Sequence, residues 1–275
     1  APCVLPGDAG ATALARPIPS GLVFDPRQPG RAYLGAYTDG VYRSDDSGAS
    51  WERIPDSPKK PFRLAVGADG ILWVTHAQGV EKYIDHRWVH FAPSGKKNGY
   101  NALAVNPSAP ADVLVATWFR TGPYAHEKIY RTRNAGRTWD TLATSINHTV
   151  AWLPDADFDA TITAFAYNPA SPGSVWLSGG YGVYHTGDMN AQPSIWTPKV
   201  RNLEETVIFD LAEDPAGRLV SAIADLSGFV HTRGLDDFPR QSFMPGDHGL
   251  DQAINTYSLD IAYNEPTPGK PARAY

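Results

Sequence analysis

One eight-residue pattern, Ser/Thr-x-Asp/Asn-x-Gly-x-Ser/Thr-Trp, occurs twice, from Ser44 and again, eighty-eight residues on, from Thr132. Asp46, Gly48, Ser50 and Trp51 hold the fixed positions of the first copy; Asn134, Gly136, Thr138 and Trp139 hold those of the second. A strand-like run precedes each, at residues 40–43 and 129–131. These residue types suit a tight hairpin. An Asp or Asn side chain accepts hydrogen bonds from the turn's own amides, Gly supplies a positive φ, and the Trp ring packs where the next strand begins. A spacing of eighty-eight is two periods of about forty-four, the length of one four-stranded propeller blade. The pattern predicts a chain built from blades.

Composition agrees. With 275 residues there is chain enough for a buried core and for one or two domains. Gly 25, Pro 24 and 11% aromatics, with no collagen-like period, fit many short strands joined by turns. Net charge is −5 and the cations cluster no further than local pairs, so nucleic acid and anionic membrane surfaces are disfavoured as partners. No apolar run approaches the roughly eighteen residues needed to span a bilayer. The lone Cys3 can form no internal disulfide. Ala1-Pro2-Cys3 suits a processed mature end, and Asn147-His148-Thr149 is a glycosylation sequon. Fold type and composition favour secretion, to an extracellular or periplasmic location.

Each repeat opens on an apolar strand ending in Asp/Asn-Pro or an equivalent turn, at residues 21–26, 63–70, 102–107, 164–169 and 210–215, with a sixth at 259–264. Almost no helical periodicity interrupts them, so the expectation is all-β, a β-propeller of four-stranded blades. Eroded copies of the motif lie at 83–88 and 186–196. The sixth unit stops at Tyr275, and residues 1–20 lack the strand and motif that would complete it. A propeller closes its ring. The expectation is therefore a piece of a longer polypeptide, whose remainder is a partner in closing the ring. The widest spacing, between the third and fourth repeats, holds an insertion at 145–160 that reads either as a domain junction or as a loop over a cleft.

Residues 204–211, Glu-Glu-Thr-Val-Ile-Phe-Asp-Leu, lead to residues 219–231, Leu-Val-Ser-Ala-Ile-Ala-Asp-Leu-Ser-Gly-Phe-Val-His. This resembles glycoside hydrolase family 74, the xyloglucan-active endoglucanases with two tandem seven-bladed propellers, whose pattern there is close to E-E-T-x-V-L-D-L and then L-L-S-A-V-G-D-x-G-G-F-x-H. Residues 182–188 also look like the family's preceding blade. The repeated motif is the Asp-box, which sialidases, sortilins and many binding propellers share. The resemblance implies a tandem pair of propellers, with residues 1–155 in the first and 156–275 beginning the second.

It also puts Asp225 at one of two catalytic aspartates of an inverting mechanism. One carboxylic acid protonates the leaving oxygen and one carboxylate activates water, roughly 6.5–9.5 Å apart so that water fits between. The residue-level alternative for Asp225 is a turn aspartate capping a strand end. Two family glycines are Ala224 and Ser227 here, which alters what the loop backbone can adopt. The nearest look-alike of the second aspartate is Asp39, before Gly40, Val41, Tyr42 and Arg43; the alternative is a partner carboxylate outside this chain.

Flat rings cover the apolar faces of sugars. Trp118, Phe119 and Tyr124 lie in the loop before the second motif, where the family has a Trp-containing substrate loop; Trp152 and Tyr181 are further candidates, and Glu204 is placed near the cleft. Packing between blades is the alternative for Trp118, and solvation or turn capping for Glu204. Trp51 and Trp139 are assigned to packing, and Trp73, Trp88 and Trp176 to the core. The eight histidines include one H-x-x-x-H spacing, His86 to His90, but no Cys pairing; no metal and no cofactor is expected. His231 reads as a satisfied strand residue. The functional expectation is an inverting glycoside hydrolase cutting β-1,4-glucan backbones, xyloglucan of plant cell walls foremost, in a groove between propellers. The alternative is a non-catalytic propeller that binds a polysaccharide or a protein.

Overall fold

A computed structural model describes residues 21–95, 99–118, 127–150, 158, 162–171, 173–180, 182–201, 203, 208–213, 218–224 and 227–232, with the backbone of 241–242. Twenty-one strands and no helix occur among the described residues. They form five sheets in chain order. Blade 1 is β1 (Leu22–Phe24), β2 (Ala32–Ala36), β3 (Gly40–Ser44) and β4 (Glu52–Arg53); blade 2 is β5 (Pro61–Val66), β6 (Leu72–His76), β7 (Gly79–Ile84) and β8 (Arg87–Phe91). Blade 3 is β9 (Gly99–Val105), β10 (Val113–Trp118), β11 (Ile129–Thr132) and β12 (Asp140–Thr141). Next along the chain comes β13 (Thr144–Ile146). Blade 4 is β14 (Ala164–Tyr167), β15 (Val175–Ser178), β16 (Val183–Thr186) and β17 (Ser194–Pro198). Blade 5 is β18 (Ile208–Glu213), β19 (Leu219–Ile223), β20 (Ser227–His231) and β21 (Gln241–Ser242). The all-β, blade-built expectation holds for repeats one to five; the sixth repeat lies outside the described residues.

Four sheets have four strands, and blade 4 has five. Here β13 runs parallel to β17, with Thr144 opposite Ser194 and Ile146 opposite Trp196. The start of the expected insertion thus covers the outer edge of the next blade, satisfying backbone groups that an edge strand leaves open.

Alternation in the strands decides which blades meet. Leu72 and Val74, with Leu64 of the same blade, point towards blade 1, where they join Tyr33, Val41 and Ile54. Trp73, between them, points the other way and packs with Tyr100, Leu103, Val115 and Tyr130 of blade 3. Strands buried on both faces read as continuous apolar runs; Val113, Leu114, Val115 and Ala116 are all 0% exposed. A third cluster joins Ala102, Leu114 and Leu142 of blade 3 to Phe165, Leu177, Tyr184 and Trp196 of blade 4 and to Ile223 and Phe229 of blade 5. One core assignment fails. Trp176 is 39% exposed, because Val175 and Leu177 occupy the cluster and Trp176 leaves from the opposite face of β15.

Both copies of the repeated motif fold into the same turn between a blade's third and fourth strands. Ser44 Oγ accepts from Gly48 N–H (2.8 Å) and donates to Asp46 Oδ1, which accepts from Ser50 N–H, both also at 2.8 Å. Thr132 Oγ1 accepts from Gly136 N–H (2.9 Å), and Asn134 Oδ1 accepts from Thr138 N–H (2.9 Å). Gly48 and Gly136 have φ of 88° and 90°. Trp139 goes on to pack against Trp73 and Phe91. Because strands alternate in direction, these turns lie at one end of each blade. Connections between second and third strands lie at the other end.

Candidate active site on one rim of the blades

That opposite rim gathers the described residues of functional interest. In blade 1 the β2–β3 hairpin closes with Asp39 N–H donating to Ala36 O (3.0 Å). The Asp39 side chain is 54% exposed. Tyr42 Oη donates to its Oδ2, and Arg53 Nε donates to its backbone oxygen at 3.0 Å and lies 3.5 Å from Oδ1. Gly40 makes the hairpin possible at φ 136°; a Cβ there would stand 2.4 Å from Ser57 Oγ, which accepts the buried Val41 N–H at 3.0 Å.

An aromatic run crosses the same rim. Tyr37, 36% exposed, lies in the Asp39 hairpin and stacks on Phe62 of blade 2, with ring centres 6.1 Å apart at 22°. Phe62 in turn meets Trp118 of blade 3 edge-on, 4.6 Å apart at 86°. Trp118 is therefore packed between blades on one side while partly exposed. Tyr37 and Phe62 were not singled out by sequence; their places in a second-to-third hairpin and at the head of a first strand were the available signal.

In blade 4 the equivalent turn closes with Gly179 N–H donating to Gly182 O (2.8 Å). In blade 5, Ile223 pairs with Ser227 across the equivalent turn. His231 shares a hydrogen bond with Ser221 Oγ (3.0 Å), and burial lowers its pKa. Asp225, Phe119, Tyr124, Trp152, Tyr181 and Glu204 lie outside the described residues.

The rim also carries a group that sequence spacing did not connect. Glu81 of β7 stands directly opposite His90 of β8 and opposite Val74 of β6, which puts His76, two residues past Val74, on the same face. His90 Nδ1 donates to Glu81 Oε1 (2.7 Å), and His76 Nε2 lies 3.4 Å from that same oxygen. Burial alone would raise the Glu81 carboxyl, but contacts with His76 and His90 outweigh it and hold the group below the usual carboxylate value. Among the described residues these three are the set able to hold a metal ion.

No protein-family model matches the chain. Among curated proteins it is 27% identical to a xyloglucanase of a Paenibacillus species, over 82% of this chain and 26% of the relative. It is 25% identical to a probable oligoxyloglucan-reducing end-specific xyloglucanase of Neosartorya fischeri, over 89% of this chain and 40% of the relative. The crystal structure of the GH74 xyloglucanase from Xanthomonas campestris superposes with a TM-score of 0.70 at 28% identity, over 82% of this chain and 36% of that one. The chain thus spans well under half the length of the relatives it matches. In its motifs, its blades and these likenesses the chain is similar to glycoside hydrolase family 74.

Proposed function

We propose that this chain belongs to an inverting glycoside hydrolase that cuts β-1,4-glucan backbones, xyloglucan foremost, in a groove between two propellers. Residues 1–155 belong to the first propeller and 156–275 begin the second, the remainder of the polypeptide closing both rings. Asp225 is one catalytic carboxylate. Asp39, or a carboxylate elsewhere in the longer polypeptide, is the other. One protonates the glycosidic oxygen as it leaves, and the other takes a proton from the water that attacks the opposite face of the sugar. Trp118, Phe119, Tyr124, Trp152 and Tyr181 offer rings to the sugar faces, and Glu204 lines the cleft. The substrate is a polymer of plant cell walls, so the enzyme works outside the cell or in the periplasm.

The observation that carries this reading is the common rim, where the carboxylate of Asp39 and the ring of Tyr37 on blade 1 and the ring of Trp118 on blade 3 are bridged by Phe62 of blade 2. Likeness to named xyloglucanases supports the choice of substrate. The test is release of reducing ends from xyloglucan by the full-length protein. Asp225→Asn is expected to cut turnover by about 10²–10⁴-fold, the range for losing a general acid or base. Wild-type turnover in that variant would remove the assignment.

A further inference from the structure

Blade 2 holds a polar cluster that hydrolysis does not use. His76 is 7% exposed and lies on the face of β6 that carries Leu72 and Val74, yet its Nε2 makes no well-aligned hydrogen bond, Glu81 Oε1 standing 3.4 Å away. Its polar neighbour is Glu81 Oε1, the oxygen already taken by His90. A buried imidazole nitrogen left in this state is costly unless something else completes it. We propose that His76, Glu81 and His90 form a site for one divalent transition metal ion of the zinc class, which staples the second, third and fourth strands of blade 2.

Geometry and ligand chemistry both favour that occupant. The three candidate ligand atoms lie within 4.8 Å of one another. A tetrahedral ion with bonds of about 2.0–2.1 Å has ligand–ligand edges of about 3.3 Å. His76 Nε2 and Glu81 Oε1, 3.4 Å apart, already stand at such an edge. His90 Nδ1, at 2.7 Å, opens by about half an ångström once its proton gives way to the ion. Two imidazoles and a carboxylate suit zinc, cobalt or nickel better than calcium or magnesium, which take oxygen. Three protein ligands leave one position for water.

The surroundings hold the site in shape. Each ligand comes from a different paired strand, so register fixes their spacing. Gly79 gives the His90 ring its room, since a Cβ there would lie 2.4 Å from His90 Cε1. The His90 side chain is 47% exposed, which leaves the ion a way in, whereas those of His76 and Glu81 are 9% and 11% exposed. Nothing in this proposal depends on the catalytic reading.

The test is titration of the untagged full-length protein, stripped with chelator, with Zn²⁺ and separately with Co²⁺. One ion is expected per chain, with the intense visible absorption of four-coordinate cobalt and an upward shift of the melting temperature. His90→Ala removes a half-exposed ligand and should weaken binding by more than about 100-fold, beyond what loss of an outer partner costs. Gly79→Ala keeps all three ligands and should weaken it less. His86→Ala, in the β7–β8 turn of the same blade, should leave it unchanged. Failure of the wild-type protein to take up either ion overturns the site, as does uptake that survives His90→Ala combined with His76→Gln.

Discussion

The Arg131 guanidinium forks onto Asp112, Nε to Oδ1 and Nη2 to Oδ2, both at 2.7 Å. Their side chains are 4% and 9% exposed. Asn106 Nδ2 also donates to Asp112 Oδ2 (3.1 Å), Tyr167 Oη donates to Oδ1 (3.3 Å), and Arg131 Nη1 donates to Met189 O (2.6 Å). Tyr167 and Met189 come from blade 4, so this pair joins two blades as well as two strands. Removing one partner of such a pair strands a charge in the interior, at a cost of about 3–5 kcal/mol. Asp112→Ala is expected to lose that much in denaturant unfolding. Asp112→Leu with Arg131→Met should lose less than the two single changes summed. A single-variant loss under about 1 kcal/mol would show the fork to be dispensable.

The two motif turns differ in a way that pH exposes. In the first, the Ser50 hydroxyl (2.6 Å), then Ser50 N–H and the Ser44 hydroxyl, hold Asp46 down from 3.8 to about 2. A depressed carboxyl stabilises the fold above its unfolded value, and that contribution fades as pH falls through the folded one. Acidification from 3.8 towards 2 should therefore loosen the first turn. The second turn has Asn134 in the same place, which does not titrate. Hydrogen exchange at the Ser50 amide should rise relative to Thr138 over this window, and Asp46→Asn should abolish the difference. Equal responses in the unmodified protein would refute the account.

What could be read from sequence was local chemistry. The Asp-Pro and Asn-Pro turns close as their residue types predict: Asp25 Oδ1 accepts from Arg27 N–H (2.9 Å), Asn106 Oδ1 from Ser108 N–H (3.0 Å) and Asn168 Oδ1 from Ala170 N–H (3.0 Å). The order of the five described blades and of the strands within them followed from repeating those turns. What could not be read was register. His76, Glu81 and His90 sit five and nine residues apart, a spacing that matches no ligand motif until three strands are paired. Parallel pairing of β13 with β17 likewise has no signature in Thr144, Ser145 and Ile146. Of the expected site residues, Asp39 and Trp118 stand on one rim. Trp118 also shows a limit of residue-type reasoning, since its contact with Phe62 depends on how blades 2 and 3 stack.

Gly40 sets the position of Asp39. At φ 136° a side chain is strained, and its Cβ would meet Ser57 Oγ at 2.4 Å. Gly40→Ala should therefore cost about 1–3 kcal/mol, the range for one residue held in a sparsely populated conformation. Ser57→Gly added to it frees the space but not the φ, and removes the acceptor of Val41 N–H. The double variant should therefore stay destabilised. Recovery to wild-type stability would mean that the clash alone, and not the backbone, makes glycine necessary.

Tyr37 offers the cleanest test of the aromatic run. It is 36% exposed and rests on Phe62, which is 5% exposed and supports Trp118 from the other side. Phe62→Ala should cost about 3–5 kcal/mol and disturb both outer rings. Tyr37→Ala removes one outward ring and leaves Phe62 and Trp118 in contact, so its stability loss should stay near 1 kcal/mol, the worth of one aromatic pair. If sugar units ride on this rim, Tyr37→Ala raises KM for xyloglucan while kcat holds, the signature of binding lost equally from ground and transition states. Unchanged KM and kcat would confine the run to packing and move the sugar path off blade 1. A fall in kcat at constant KM would point instead to a displaced Asp39, two residues along the same hairpin.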